Sequence, residues 1–364
     1  MDKKNKISGE QIKALVITII IGVSILSLPS TTAMKLDNSG WIAIVICALV
    51  TIPFMVMIDK TVKLYPGKDF FEIIKEALGP IISKIFLIVF LVYLMFFLAY
   101  MHRSIAEIIR VYLLETTPAE IIIITMLLSI SYIARGGIED IARMALIIYP
   151  IIIGFTIFQL LVNLPNADLT NIFPLFNVNF KAIPKSVWSI FFSFAGYELL
   201  YFFLPYVENK QETLKYSLKG MLLVAVVYLI MFFVTLSQFG IKQLKREIWP
   251  GLAVIRGVDL PGYFLENLDG IVMATWIMVI FGTVAPALYA SGVILSDLFK
   301  TKTHKIFIFP ILPIVYIISL VPDNLFQLYE GFQNILNYFA IVSIIIMPTV
   351  IFIAAYVKKG RKKA

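Results

Sequence analysis

The sequence predicts an all-α polytopic membrane protein with about ten spanning helices, and three observations carry that prediction. Of its 364 residues 60% are hydrophobic and only 15% charged, a composition that no water-soluble core of this length can hide. Long uncharged runs recur along the whole chain, each close to the roughly 20 residues needed to cross a bilayer. The basic residues gather in alternate connections between those runs, as the positive-inside rule requires.

Eight uncharged runs are direct candidates for spans: 14–34, 38–58, 85–102, 144–167, 220–241, 270–296, 306–322 and 331–357. Two weaker ones complete the set: 121–134, with Thr117 and Pro118 as cap and first turn, and 186–207, interrupted only by Glu198. Ten spans put both termini on one side. With the termini and every second connection assigned to the cytoplasm, that side holds 22 Lys and Arg against 7 in the opposite connections, Arg103 and Arg110 being assigned to the outer end of the third span. Omitting one span would scramble this asymmetry. The 21-residue apolar run at 14–34 has no A-x-A site after it, so it reads as a retained helix rather than a cleaved signal peptide.

The same residues exclude other classes. Cys47 is the only cysteine, so neither an intramolecular disulfide nor a cysteine metal cluster can form. His102 and His304 stand 202 positions apart, which excludes a local paired-histidine metal motif. The net charge of +8 lies in short connections, so it reports membrane orientation rather than a nucleic-acid surface. No nucleophile-base set for a membrane enzyme is recognisable, and no metal or cofactor is expected.

The chain therefore reads as one transmembrane domain, 1–364, with five spans in 10–164 and five in 185–357. Between the second and third spans, Phe70, Ile73, Ile74, Ala77 and Leu78 alternate at helical spacing with Asp69, Glu72, Lys75 and Glu76. Pro66-Gly67 and Gly79-Pro80 bound them. This predicts an amphipathic helix at 68–79 that either lies on the cytoplasmic membrane surface or packs against the bundle. Residues 238–268 form a long extracytoplasmic connection containing Trp249-Pro250-Gly251, which reads as a lid or a passive loop.

The first and sixth spans share a feature the others lack. The first contains Gly22-Val23-Ser24-Ile25-Leu26-Ser27-Leu28-Pro29, and the sixth Phe194-Ala195-Gly196-Tyr197-Glu198 with Pro205 further on. Glycine weakens a helix and proline removes a donor, so both segments can unwind. Unwound backbone survives at this depth only where it is buried in protein or lines a cavity. Interruptions at matching places in two halves point to a five-plus-five inverted repeat with its site at the breaks. The candidate ligand-binding residues are Gly22, Val23, Ser24 and Ile25 with Phe194, Ala195, Gly196, Tyr197 and Glu198. Gly22 is expected to stay small because ligand or the sixth span approaches it.

Glu198 sits near mid-membrane, where a carboxylate costs roughly 2.5–3.5 kcal/mol on insertion scales. It needs a proton, a cation, a ligand or a structural hydrogen-bond role. In the third span, Arg103 and Glu107 are four residues apart and can pair on one face; Arg103 reaching Glu198 in a relay is the alternative.

Ile7-Ser8 through Gln11, followed by Gly22 to Pro29, resembles the opening of the endospore germination permeases. These are the B subunits of spore germinant receptors, within the amino acid/polyamine/organocation superfamily. Phe194 to Glu198 is similar to that family's sixth helix, and Phe264-Leu265-Glu266-Asn267-Leu268-Asp269 to its loop signature, with Asn267 where the family pattern has Arg. The resemblance runs along nearly the whole chain. It implies the leucine-transporter fold and a receptor assembled with a larger membrane subunit and a lipoprotein subunit in the spore inner membrane. The implied ligand is a germinant, typically a small amino acid. Within that fold, freed amides near Ser24 and Ile25 suit a carboxylate, and freed carbonyls near Phe194 and Ala195 suit an ammonium. A ligand sensor and a proton-coupled amino-acid permease, with Glu198 carrying the proton, both fit.

Overall fold

A computed structural model describes residues 6–256 and 268–361. Lys3, Lys4, Lys362, Lys363 and residues 264–267 of the loop signature lie outside them. The first span opens as α1 (Gly9–Ile20) under a reciprocal cap: Gln11 N donates to Ser8 Oγ at 3.2 Å, and Ser8 N to Gln11 Oε1 at 2.7 Å. Helix α1 therefore begins before the uncharged run does, with Lys13 paired to Glu10. Every residue from Ala14 to Ile20 is buried, which marks α1 as a central helix rather than a lipid-facing one. The chain leaves helical geometry at Ile21–Val23 and resumes as α2 (Ser24–Leu36).

The apolar stretch Ser24–Leu64 covers 41 residues, about 60 Å if straight and twice a bilayer core. It folds back at Asp37, whose φ is 50°, and continues as α3 (Trp41–Leu64), the second span. Asn38 Nδ2 fastens this reversal by donating to the carbonyls of Asn171 and Phe173 at 2.8 and 3.0 Å.

Helix α4 (Phe70–Leu78) is capped by Asp69 and ends at Gly79, where φ is 85°. Of the two placements open to it, the structure has packing against the bundle. Phe70, Ile73 and Ile74 are buried, and the Phe70 ring lies 4.9 Å from both Tyr201 and Phe202. Each such side chain contributes about 1.5–3 kcal/mol when taken from water.

The remaining first-half spans are α5 (Pro80–Tyr112), α6 (Ala119–Ala134, with Pro118 as its cap) and α7 (Ile138–Asn163). The sixth span is α8 (Ile183–Phe191) with a 3-10 turn to Phe194. After a break it continues through Tyr197–Leu199, α9 (Leu200–Phe203) and Leu204–Tyr206, the two pieces meeting at 45°. Spans seven to nine are α10 (Thr213–Leu244), α12 (Leu268–Leu298) and α13 (Lys305–Ser319). Span ten runs through two π-helical segments, Gln327–Phe332 and Ile341–Ile346, flanking α14 (Gln333–Ala340), and ends as α15 (Met347–Arg361). The connection expected at 238–268 is shorter at its start, because α10 stays helical through Leu244 beyond a kink at Gly240. Within it lies α11 (Pro250–Arg256).

Ten spans alternate between two faces, and cross-links confirm which connections share one. Ile7 N donates to Tyr206 O at 3.1 Å, Lys75 pairs with Asp297 at 2.8 Å, and Lys358 Nζ donates to Glu76 O at 2.5 Å. Both ends of the described chain thus lie at one face, and Asn38, Asn171 and Lys245, which pairs with Asp37, lie at the other.

Candidate functional site

Residues that cannot stay helical lie beside each other at the centre of the bundle. Gly196 has φ 115°, ψ −22°, a conformation that costs an L side chain free energy. A Cβ there would stand 2.5 Å from Ile19 Cγ2 and 3.4 Å from the Ile19 backbone. The close approach of spans one and six is therefore made by Gly196 on Ile19. Gly22, for which that role was expected, instead faces Thr283 of α12, with Cβ distances of 3.1 and 3.2 Å. Its neighbour is set by Thr283 Oγ1 donating to Thr18 O at 2.8 Å.

Tyr228 of α10 ties the two breaks together. Its hydroxyl lies 3.1 Å from Ile20 O and 2.8 Å from Ser193 O, one carbonyl from each interrupted helix. One hydroxyl hydrogen serves one acceptor at a time, so the other carbonyl keeps spare capacity.

A cavity of about 550 Å³ opens beside the breaks toward the face away from the termini. Val23, Ser24, Ser27 and Thr31 line it from α2, Tyr93 and Phe97 from α5, Phe192, Ser193 and Ala195 from span six, and Gln333 and Asn337 from α14. Lys245 to Ile248 stand at its mouth. Asn337 Oδ1 is buried without a hydrogen-bond partner among the described residues, an acceptor available to a ligand donor. The first amides of α2, at Ser24 and Ile25, precede any intrahelical acceptor, and Val23 supplies no side-chain cap.

Of the nine candidate residues, Val23, Ser24 and Ala195 line this cavity. Ile25 and Phe194 are packed into the protein, Phe194 edge-on to Tyr228 at 5.1 Å. Tyr197 donates its hydroxyl to Ile344 O at 2.7 Å. That carbonyl is within the second π segment of span ten, where the altered ladder leaves acceptors free.

Glu198 stands one hydrogen bond behind the cavity wall. Tyr93, which lines the cavity, donates to its Oε1 at 3.1 Å, and Gly196 N donates to Oε2 at 2.7 Å. The carboxyl group thus closes the N-terminus of the second half of span six, a placement the helix dipole favours. No cation pairs with it among the described residues. Arg103 pairs with Glu107 at 2.9 Å, and Arg110 with the same carboxylate at 3.4 Å; Arg103 lines a separate cavity of about 450 Å³ with Arg110 and Asp323. The relay from Arg103 to Glu198 is not assembled. His102 is buried, its Nδ1 2.7 Å from Leu98 O.

Tyr93, Tyr228, Thr283, Gln333 and Asn337 were not expected at the site. Tyr93 and Tyr228 carry a usable signal, a tyrosine in the middle of an apolar run rather than at its interfacial ends. The others are single polar residues whose facing depends on helix rotation.

The model of the family described as Spore germination protein matches residues 6–328. Among its relatives, spore germination protein YndE of Bacillus subtilis is 26% identical over 321 residues, 88% of each chain. Spore germination protein A2 of the same organism is 26% identical over 353 residues, 95% of this chain and 94% of its own. Solved structures share the fold. A Na⁺-coupled sialic acid symporter superimposes with TM-score 0.75 at 10% identity over 97% of this chain and 80% of its own. MhsT in complex with L-phenylalanine gives 0.69 at 12% over 98% and 99%. Mhp1, a nucleobase-cation-symport-1 family transporter, gives 0.70 at 13% over 97% and 80%. The fold is that of the leucine-transporter group, with broken first and sixth helices, and the chain belongs to the spore germination protein family.

Proposed function

We propose that this protein is the membrane subunit of a spore germinant receptor, binding a small amino-acid-like germinant between the two breaks and signalling by a shift in conformation. The observation that carries the reading is the cavity of about 550 Å³ beside both interrupted helices, within the 300–1,000 Å³ range of small-molecule sites. A zwitterion fits its chemistry. The ligand carboxylate would meet the first amides of α2 and the Ser24 hydroxyl, at the positive end of a half-helix. The ammonium would take the carbonyl capacity at Ser193 and Ile20 that Tyr228 cannot fill alone. That a neighbour of the same fold was solved with L-phenylalanine supports the ligand class. On this reading the termini face the cytoplasm, supported by the 22 to 7 basic asymmetry. The protein resides in the spore inner membrane beside a larger membrane subunit and a lipoprotein subunit.

One observation favours a second reading, a proton-coupled amino-acid permease: a carboxyl group, Glu198, joined to the cavity only through the Tyr93 hydroxyl. The test is to reconstitute the full chain without partners and supply single labelled amino acids under an imposed proton gradient. Saturable binding without accumulation is the expected result; accumulation that collapses with the gradient would replace the sensor with the permease.

A further inference from the structure

At the face holding the termini, α6 ends, α7 begins and α13 begins around a second cavity of about 580 Å³. Its charged lining is Arg135, Arg143, Lys305 and Asp140, two net positive charges. The single carboxylate is engaged locally, with Gly137 N donating to Asp140 Oδ2 at 2.9 Å. Arg143 shares its charge with Glu139 at 2.5 Å. Arg135 and Lys305 have no carboxylate partner among the described residues. Arg135 is steadied by the ring of Phe309, 4.8 Å from its guanidinium carbon.

The rest of the wall is apolar and turned outward. Tyr132 is 85% exposed and Ile147 64%, on helices that cross the bilayer, and Met144 lines the cavity with them. Surface this apolar continues into the lipid-facing side of α6 and α13, where Leu128, Ile306 and Phe309 are exposed. The cavity therefore sits at the boundary between acyl chains and water. His304 Nε2, 3.2 Å from Ala134 O and 3.0 Å from Gly136 O, donates to that turn and fixes the position of Arg135 relative to Lys305.

We infer that this cavity is a binding site for an anionic glycerophospholipid, whose phosphodiester lies among Arg135, Arg143 and Lys305 while its acyl chains run over Tyr132 and Ile147. Charge complementarity selects the head group: arginine offers a planar fork to phosphate oxygens, and interhelical basic pockets at the membrane surface have this chemistry. The apolar rim selects a lipid over a free anion, because inorganic phosphate would gain nothing from Tyr132 and Ile147. A zwitterionic lipid brings a cation that meets Arg135 and Lys305, neither of which is paired with a carboxylate among the described residues.

The test titrates the purified full chain in detergent with dioctanoyl phosphatidylglycerol, dioctanoyl phosphatidylcholine and inorganic phosphate, reading bound molecules by native mass spectrometry. Phosphatidylglycerol should bind in preference, and Arg135→Gln/Lys305→Gln should weaken it about 30-fold, from two cations near a membrane surface. Both side chains are exposed, so the variant should remain folded, checked by an unchanged elution profile. Lys181→Gln/Lys185→Gln, the same charge change at the opposite face, should leave binding intact. Equal binding of both lipids, equal loss in the control variant, or full competition by phosphate at lipid-like concentration would each overturn the assignment.

Discussion

Replacing Gly196 by alanine tests whether the break in span six is packed on span one as described. Two costs add. At φ 115° an L residue bears about 1–3 kcal/mol of backbone strain. The new Cβ would also meet Ile19 Cγ2 at 2.5 Å, against an ordinary carbon contact near 3.5–4.0 Å, so the methyl must retreat by about 1 Å. In a close-packed interior that overpacking costs about 1–3 kcal/mol more. The expected loss is about 2–6 kcal/mol, read as the shift in denaturation of the purified full chain on titrating mixed micelles with SDS. Ile19 separates the two parts. Ile19→Ala removes Cγ2, so in the double variant the steric share should disappear and only the strain remain. Ile19→Val keeps both γ carbons and should rescue nothing. A Gly196→Ala chain as stable as the parent, or equal rescue by both Ile19 variants, would mean that Gly196 is not packed on Ile19 in this way.

Glu198→Gln should fold, because the amide oxygen can accept from Gly196 N while the amide N–H donates to the Tyr93 hydroxyl; the exchange of charge-assisted for neutral hydrogen bonds costs about 1 kcal/mol. If Glu198 serves the ligand or a proton, binding to the reconstituted chain should weaken or lose its pH dependence; wild-type stability with a wild-type pH response would remove both roles. Tyr228→Phe leaves the carbonyls of Ile20 and Ser193 without their donor and should cost about 1–3 kcal/mol in the empty chain. The loss should be smaller with ligand bound, since the ammonium supplies hydrogens; equal loss in melting curves with and without ligand would exclude that contact. A reporter fused after Ala364 should be active only in the cytoplasm.

Much of the fold was legible because a bilayer imposes simple demands. Apolar run length located ten spans, and the alternation of Lys and Arg fixed their count. The breaks were legible too, but only glycine marked them. The chain unwinds at Ile21–Val23 and at Ala195–Gly196, whereas Pro29 lies inside α2 and Pro205 within the closing turn of span six. Helix ends were missed where charged residues are neutralised locally, as with Glu10 and Lys13 in α1, since a run of uncharged residues undercounts such a turn. The π segments of span ten leave no mark in composition. They depend on packing, and with them went the partner of Tyr197. The site was legible as a place and not as a set of contacts. Which side of a helix faces the cavity is decided by rotation against its neighbours, so Gly22 turned to Thr283 and Glu198 to Tyr93.

A thiol placed in the cavity between the breaks reports whether a ligand is seated there. Cys47 is fully buried, so the natural chain should resist a membrane-impermeant thiol reagent. Ser27 lines the cavity and is partly exposed, which makes Ser27→Cys reactive from the face away from the termini. The labelling rate is measured with the proteinogenic amino acids added singly. Ser27→Cys should be labelled, and at least one small amino acid should slow the labelling saturably, with protection lost in the Ser24→Phe/Ser27→Cys variant. Labelling that no amino acid alters, or protection that survives Ser24→Phe, would mean that no amino acid sits between the breaks.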